Sequence, residues 1–183
     1  MQLPVVGTLF QEAYYVDDLE RVAAAWSESL GAGPFVVSPH HRCDRFDYRG
    51  TDAQADVSYA FGYLDDVMIQ FIVQHDDTPS IYLDMYPDGP PHGAGFHHIG
   101  ILVEDFEAEF DRLVDAGFVC ATRLFADNVD AAYFDTRSIT GGFTEIHGSP
   151  VHIVDTFARW RESHRRHAPG GPAIIPRVRP ASN

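Results

Sequence analysis

The chain has 183 residues, 45% hydrophobic and 13% aromatic, with a formal charge of −14. That length and apolar content allow a sizeable buried core, while the charge argues against nucleic acid or an anionic membrane as a partner. Every cationic side chain is arginine; without lysine, Schiff-base chemistry, a pyridoxal-phosphate enzyme and a Walker-type phosphate lysine are all excluded.

Residues 7–15 alternate as a strand, with Leu9, Gln11, Ala13 and Tyr15 on one face. Asp17 or Asp18 offers an N-cap. Leu19, Val22, Ala23, Trp26 and Leu30 then follow at helical spacing, and Gly31 stops the helix. A strand begins over Pro34 to Val37. The polar stretch 38–54 takes no clear assignment; its His40 and His41 read as solvated loop residues, and Asp47, Tyr48 and Arg49 are candidates to reach a cavity. Strands are expected over about 55–63 and 66–74, with a tight turn at Asp65-Asp66. Residues 75–95, rich in proline and glycine, read as a linker. Beyond it come a strand at 96–103, a helix at 105–116 and strands near 118–125, 131–135 and 143–147. A short helix from Val151 carries Phe157 and Trp160 and leads into a Pro/Gly-rich arm.

The two halves are copies. Gln11 to Glu20 (QEAYYVDDLE) aligns with His98 to Glu107 (HIGILVEDFE), so Val16 falls on Val103 and Asp18 on Asp105. Residues 1–150 therefore read as a single domain of two βαβββ modules, over about 7–74 and 96–148, followed by a helix and tail over 151–183. The expected class is α+β: a half-open mixed β-barrel around a cavity, the default place for a ligand. No apolar run approaches the roughly 18 residues of a membrane span, and no basic-then-apolar signal opens the chain. Two cysteines, Cys43 and Cys120, are too few for a disulfide framework, so a cytoplasmic protein with reduced thiols is expected.

The repeated βαβββ plan, the Val-x-Asp-Leu/Phe-Glu helix starts and the Gly95 to Ile101 stretch (GFHHIGI) resemble the vicinal oxygen chelate superfamily of glyoxalases, bleomycin-resistance proteins and dioxygenases. The run from Ile69 through Tyr82 to His98 looks most like the methylmalonyl-CoA epimerase-like branch, and the likeness covers roughly residues 7–148. The resemblance implies metal ligands on the first and last strands of each module: here Gln11, Gln70, His98 and Glu145. Alternation agrees, because Gln70 shares a face with Met68 and Ile72, and Glu145 with Phe143 and His147. An imidazole, a carboxylate and two amide oxygens form a plausible octahedral set for a divalent metal such as Zn, Ni, Co, Mn or Mg. His97 should face the opposite way in a regular strand.

Three departures narrow the chemistry. Gln11 breaks the two-His, one-carboxylate set that a ring-cleaving dioxygenase needs. Gln70 stands where glyoxalase I-type isomerases carry Glu. The second base of the epimerase design aligns nearer Ser58 than Asp56. What the resemblance implies is a metal-dependent isomerase, epimerase or lyase that abstracts a proton α to a carbonyl of a small molecule or acyl thioester, with Glu145 as ligand, base or both, in a homodimer. The alternative is a non-catalytic small-molecule binder of the same fold, walled by Tyr15, Phe61, Tyr63, Phe71, Tyr133 and Phe143. A ring-cleaving dioxygenase is the weaker alternative.

Overall fold

In a computed structural model, which describes residues 6–177, the first copy runs β1 (Thr8–Val16), α1 (Leu19–Leu30), β2 (Phe35–His41), β3 (Arg45–Tyr48), β4 (Thr51–Asp52), β5 (Val57–Leu64) and β6 (Val67–Gln74). Helix α1 starts where the Asp18 carboxylate accepts the Arg21 N–H at 2.9 Å, and it ends at Gly31, whose φ of 73° suits a residue without Cβ. The second copy runs β7 (Ala94–Val103), α3 (Phe106–Asp115), β8 (Cys120–Ala126), β9 (Val129–Phe134), α4 (Arg137–Thr140) and β10 (Phe143–Gly148). Between the copies lies α2 (Ile81–Met85); after them come α5 (Val151–Arg165) and β11 (Ile174–Pro176).

All the strands join one curved, unclosed sheet in the order β11-β2-β5-β6-β1-β7-β10-β9-β8-β3-β4. The copies meet where β1 and β7 pair antiparallel, and each of these strands pairs in parallel with the last strand of its own copy, β6 or β10. This is the half-open mixed α+β arrangement expected from the repeat. Alternation sorts the side chains. Ala13, Tyr15, Tyr59, Ile72, Tyr133 and Phe143 gather on the concave face; Val16, Ile69 and Phe71 pack under α1; Phe134 and Ile146 pack under α3 with Leu113. Each large side chain fully buried in this way contributes roughly 1.5–3 kcal/mol relative to exposure.

Four local features depart from the sequence reading. Residues 38–54, unassigned from the sequence, finish β2 and form β3 and β4, which extend the second copy's edge; β3 pairs with β8 and β4 with β3, and Phe46 is buried. The linker holds a capped helix, with the Ser80 hydroxyl accepting the Tyr82 and Leu83 N–H groups and donating to Gln74. The C-terminal arm is ordered as far as Arg177, because β11 adds to β2 in parallel; residues 178–183 lie outside the described residues. Leu9 does not join the inward face and is 58% exposed, because a bulge at Phe10 interrupts the β1–β7 register. No helix among the described residues is long and apolar enough to cross a membrane.

Candidate functional site

The four residues singled out in the sequence meet at one buried point. The Gln11 amide nitrogen lies 3.0 Å from Gln70 Oε1, 3.2 Å from His98 Nε2 and 3.1 Å from Glu145 Oε2. The register explains this. Gln11 on β1 sits opposite Gly100 on β7, which is in turn opposite Glu145 on β10, while Gln70 arrives on β6 beside β1. Gly100 is what lets them close up. A Cβ there would stand 2.8 Å from the Phe10 ring and 3.0 Å from both Gln11 Cβ and Glu145 Oε2.

Behind this cluster runs a chain of hydrogen bonds that sets the state of His98. The Ile81 carbonyl can only accept, so His97 donates to it from Nε2 at 3.1 Å and keeps a lone pair on Nδ1. His98 Nδ1–H donates to that lone pair at 2.9 Å, which leaves Nε2 as the variable atom, facing Gln11 and Glu145. Burial, and next the proximity of His98, push His97 well below the usual histidine range and keep it neutral. His97 and His98 lie on one side because His97 is the extra residue of a second bulge: Ala13 pairs with His98 and Tyr14 with Phe96. The alternation argument for His97 fails for that reason.

Glu145 is 3% exposed. Burial pushes its carboxyl up, but His98, His147 and the Tyr133 hydroxyl together outweigh burial and hold it below the usual carboxylate range. Tyr133 donates to Oε1 at 3.0 Å, and a proton on His98 Nε2 would face Oε2 at 3.4 Å. Tyr133 itself keeps its proton, since burial and then the Glu145 charge push it well above the usual phenol range. Its place opposite Glu145 on β9 is a cross-strand pairing that spacing along the chain cannot disclose.

The donor chemistry fits a divalent cation. An amide nitrogen offers two hydrogens, yet three acceptors surround that of Gln11. Turning the amide over would put Oε1 at the same point, beside Gln70 Oε1, His98 Nε2 and Glu145 Oε2. Among the described residues no group of three or more His, Cys, Asp or Glu side chains is arranged for a metal; this set reaches four donors only through its two amides, which suit hard, oxygen-seeking ions.

Gln11, Gln70 and Glu145 line the floor of a cavity of 280 Å³ on the concave face, with His98 fully buried behind them. Phe61, Leu124, Val129, Phe157 and Trp160 supply apolar wall, while His41, Cys43, His147 and His152 also line it. His41 is therefore a cavity residue, contrary to its reading as solvated loop. Asp47, Tyr48 and Arg49 do not line it: Tyr48 and Arg49 bond to Asp84 at 2.8 and 2.6 Å instead. On β5 the residues facing the cavity are Tyr59 and Phe61; Ser58 bonds to His75 at 2.6 Å, and Asp56 pairs with His40 at 2.8 Å.

The fold has solved counterparts. A methylmalonyl-CoA epimerase from Mycobacterium tuberculosis superposes with a TM-score of 0.52 at 15% identity, covering 84% of this chain and 98% of its own. A hypothetical protein from Bacillus halodurans C-125 gives 0.55 at 17% identity, covering 80% and 96%. A methylmalonyl-CoA epimerase in complex with methylmalonyl-CoA and NH4+ gives 0.50 at 14%, covering 80% and 97%. At these identities the likeness is one of fold. No protein of curated function matches the chain in sequence. The family model that does match, over residues 10–133, covers the first copy and the second as far as β9, and the chain belongs to the glyoxalase/bleomycin resistance protein/dioxygenase superfamily.

Proposed function

We propose that the protein is a metal-dependent isomerase, epimerase or lyase that removes a proton α to a carbonyl of a small molecule, with Gln11, Gln70, His98 and Glu145 as metal ligands and Glu145 as the proton acceptor. The observation that carries this reading is the convergence of three acceptors, one of them an ionised, buried carboxylate, on one point at the floor of a cavity. A bound divalent ion would supply charge stabilisation for an enolate oxygen. The chain's own groups do the rest. Glu145 takes the proton at a carboxylate oxygen, Tyr133 holds the other oxygen in place, and the His97 relay keeps His98 Nδ1 protonated so that Nε2 faces the site. Tyr59, on the strand where a second carboxylate would be needed, favours isomerisation or elimination over two-base epimerisation. A homodimer belongs to the same proposal.

Elemental analysis of the purified protein tests it, with His98→Ala and Glu145→Gln beside the wild type. The expected result is near-stoichiometric divalent metal lost from both folded variants, and Glu145-dependent exchange of α-protons in deuterated water. Protein that takes up no cobalt, nickel, manganese or zinc, and binds ligands unchanged in both variants, would instead be a sequestering binder. That second reading draws on aromatic cavity walls, of which Phe61 and Tyr133 are those expected from the sequence; Tyr15, Tyr63, Phe71 and Phe143 do not line the cavity, and Tyr59, Phe157 and Trp160 do. A ring-cleaving dioxygenase stays the least favoured, since Gln11 occupies the place of a second histidine.

A further inference from the structure

The C-terminal segment crosses the open side of the sheet and shapes the cavity. At the start of α5, the His152 ring N–H donates to the Asp127 carbonyl of the second copy at 2.9 Å. Near its end, His164 bonds to the Gly33 carbonyl of the first copy at 2.6 Å, and Arg165 pairs with Asp66 at 3.0 Å. The chain then pairs through β11 with β2 and returns, so that Arg177 meets Asp127 at 2.8 Å. The helix is thus fastened to both copies, and it turns Ile153, Phe157 and Trp160 into the cavity. Trp160 stacks on Phe61 with ring centres 5.2 Å apart and planes 21° apart; Phe157 stacks on Phe10 at 5.4 Å and 14°.

Three constraints then act on any ligand. The 280 Å³ under the helix lies at the small end of the roughly 300–1,000 Å³ found for pockets of drug-sized molecules. Flat aromatic rings form much of the wall, and they favour a planar, apolar body between or against them. Among the described residues, Arg177 is the one arginine lining the cavity, and it is already paired with Asp127. The phosphates of a coenzyme A thioester would find no spare guanidinium there, on a chain of net charge −14.

We infer that α5 is a built-in aromatic lid that restricts the site to compact, planar, phosphate-free molecules of one or two fused rings, and that it rejects coenzyme A thioesters. The inference rests on the proposed function for the role of the polar floor, and on the lid geometry for the ligand class.

Isothermal titration of the full-length, cobalt-loaded protein with 2,3-dihydroxynaphthalene and with acetyl-CoA tests it. The diol is expected to bind in the micromolar range, at least tenfold more weakly to Trp160→Ala, and close to wild type in Trp160→Phe, which keeps a ring. Acetyl-CoA is expected to give no binding. Affinity for acetyl-CoA equal to that for the diol, diol affinity indifferent to Trp160→Ala, or no binding of either probe would each overturn the lid. The two proposals fail separately. Trp160-dependent diol binding that ignores metal, His98→Ala and Glu145→Gln sinks the metal-site reading and keeps the lid. Glu145-dependent α-exchange on acetyl-CoA sinks the lid and keeps the metal-site reading.

Discussion

Glu145 is an ionised carboxylate with almost no contact with water, and its neighbours decide its behaviour. Because its folded pKa is depressed, the stability that its partners confer is present above its unfolded pKa and is lost as pH falls through the folded value. Tyr133→Phe removes one of those partners. A hydrogen bond to a charged group is worth about 1.5–3 kcal/mol, so the variant should lose about that much at pH 7. Urea unfolding should show the gap to wild type narrowing as pH drops below the carboxylate range, and a gap that widened in acid would refute the assignment. Cys43 also lines the cavity, with its thiol held in the protonated form. Burial, then the Asp127 and Asp44 charges, push its thiol up to about 11. Iodoacetamide should label it roughly a hundredfold more slowly than a free thiol at pH 7, at a rate still climbing where an ordinary thiol has levelled off. A plateau near pH 8 would mean that the thiolate is stabilised after all.

At the scale of the elements, two irregularities in β1 and β7 make the site. The bulge at His97 brings adjacent histidines onto one side, and the bulge at Phe10 presents an aromatic ring to α5. Gly100 between them leaves room for Gln11 and Glu145 to approach. Gly100→Ala has an ordinary strand conformation to occupy, so the sheet should form, but the new methyl group crowds the Phe10 ring at 2.8 Å and both Gln11 and Glu145 at 3.0 Å. The expected outcome is loss of most metal binding, at least tenfold in affinity by competitive chelation, with a circular dichroism spectrum like that of wild type. Retained metal affinity would show that the four side chains do not act as one centre. The β8–β9 turn is local chemistry by contrast: Asp127 and Asn128 have φ of 50° and 58°, the left-handed pair that a two-residue hairpin needs, and residues of their type adopt it readily.

Over the whole molecule, the sheet is tied at its middle and dressed at its ends. β1 and β7 are interior strands, each paired on both sides, whereas β11 and β4 are short edges. Amide hydrogen exchange should therefore be slowest in β1, β6, β7 and β10 and faster by orders of magnitude in β4 and β11. If β1 and β7 exchanged early, the two copies would be opening at their seam, and the site that spans the seam would open with them.

The repeat, the helix starts at Asp18 and Asp105 and the alternation of β6 and β10 were legible in the sequence, because they depend on periods of two and 3.6 residues and on capping chemistry within a few positions. Those signals carry the family resemblance, and it is the resemblance that implies Gln11, Gln70, His98 and Glu145 as a set, with alternation along β6 and β10 in agreement. The Tyr133–Glu145 bond, the His97 bulge, the crossing of β3 to β8 and the closing of the cavity by α5 were not legible. Each depends on register between strands, or on contact between residues far apart in the chain, and no local period encodes either. By itself the sequence determined that two like halves exist and, away from the bulges at Phe10 and His97, which side chains share a face. Tertiary structure alone decided which inward side chains touch, since contact across a sheet is set by pairing between distant strands and by what covers the open face.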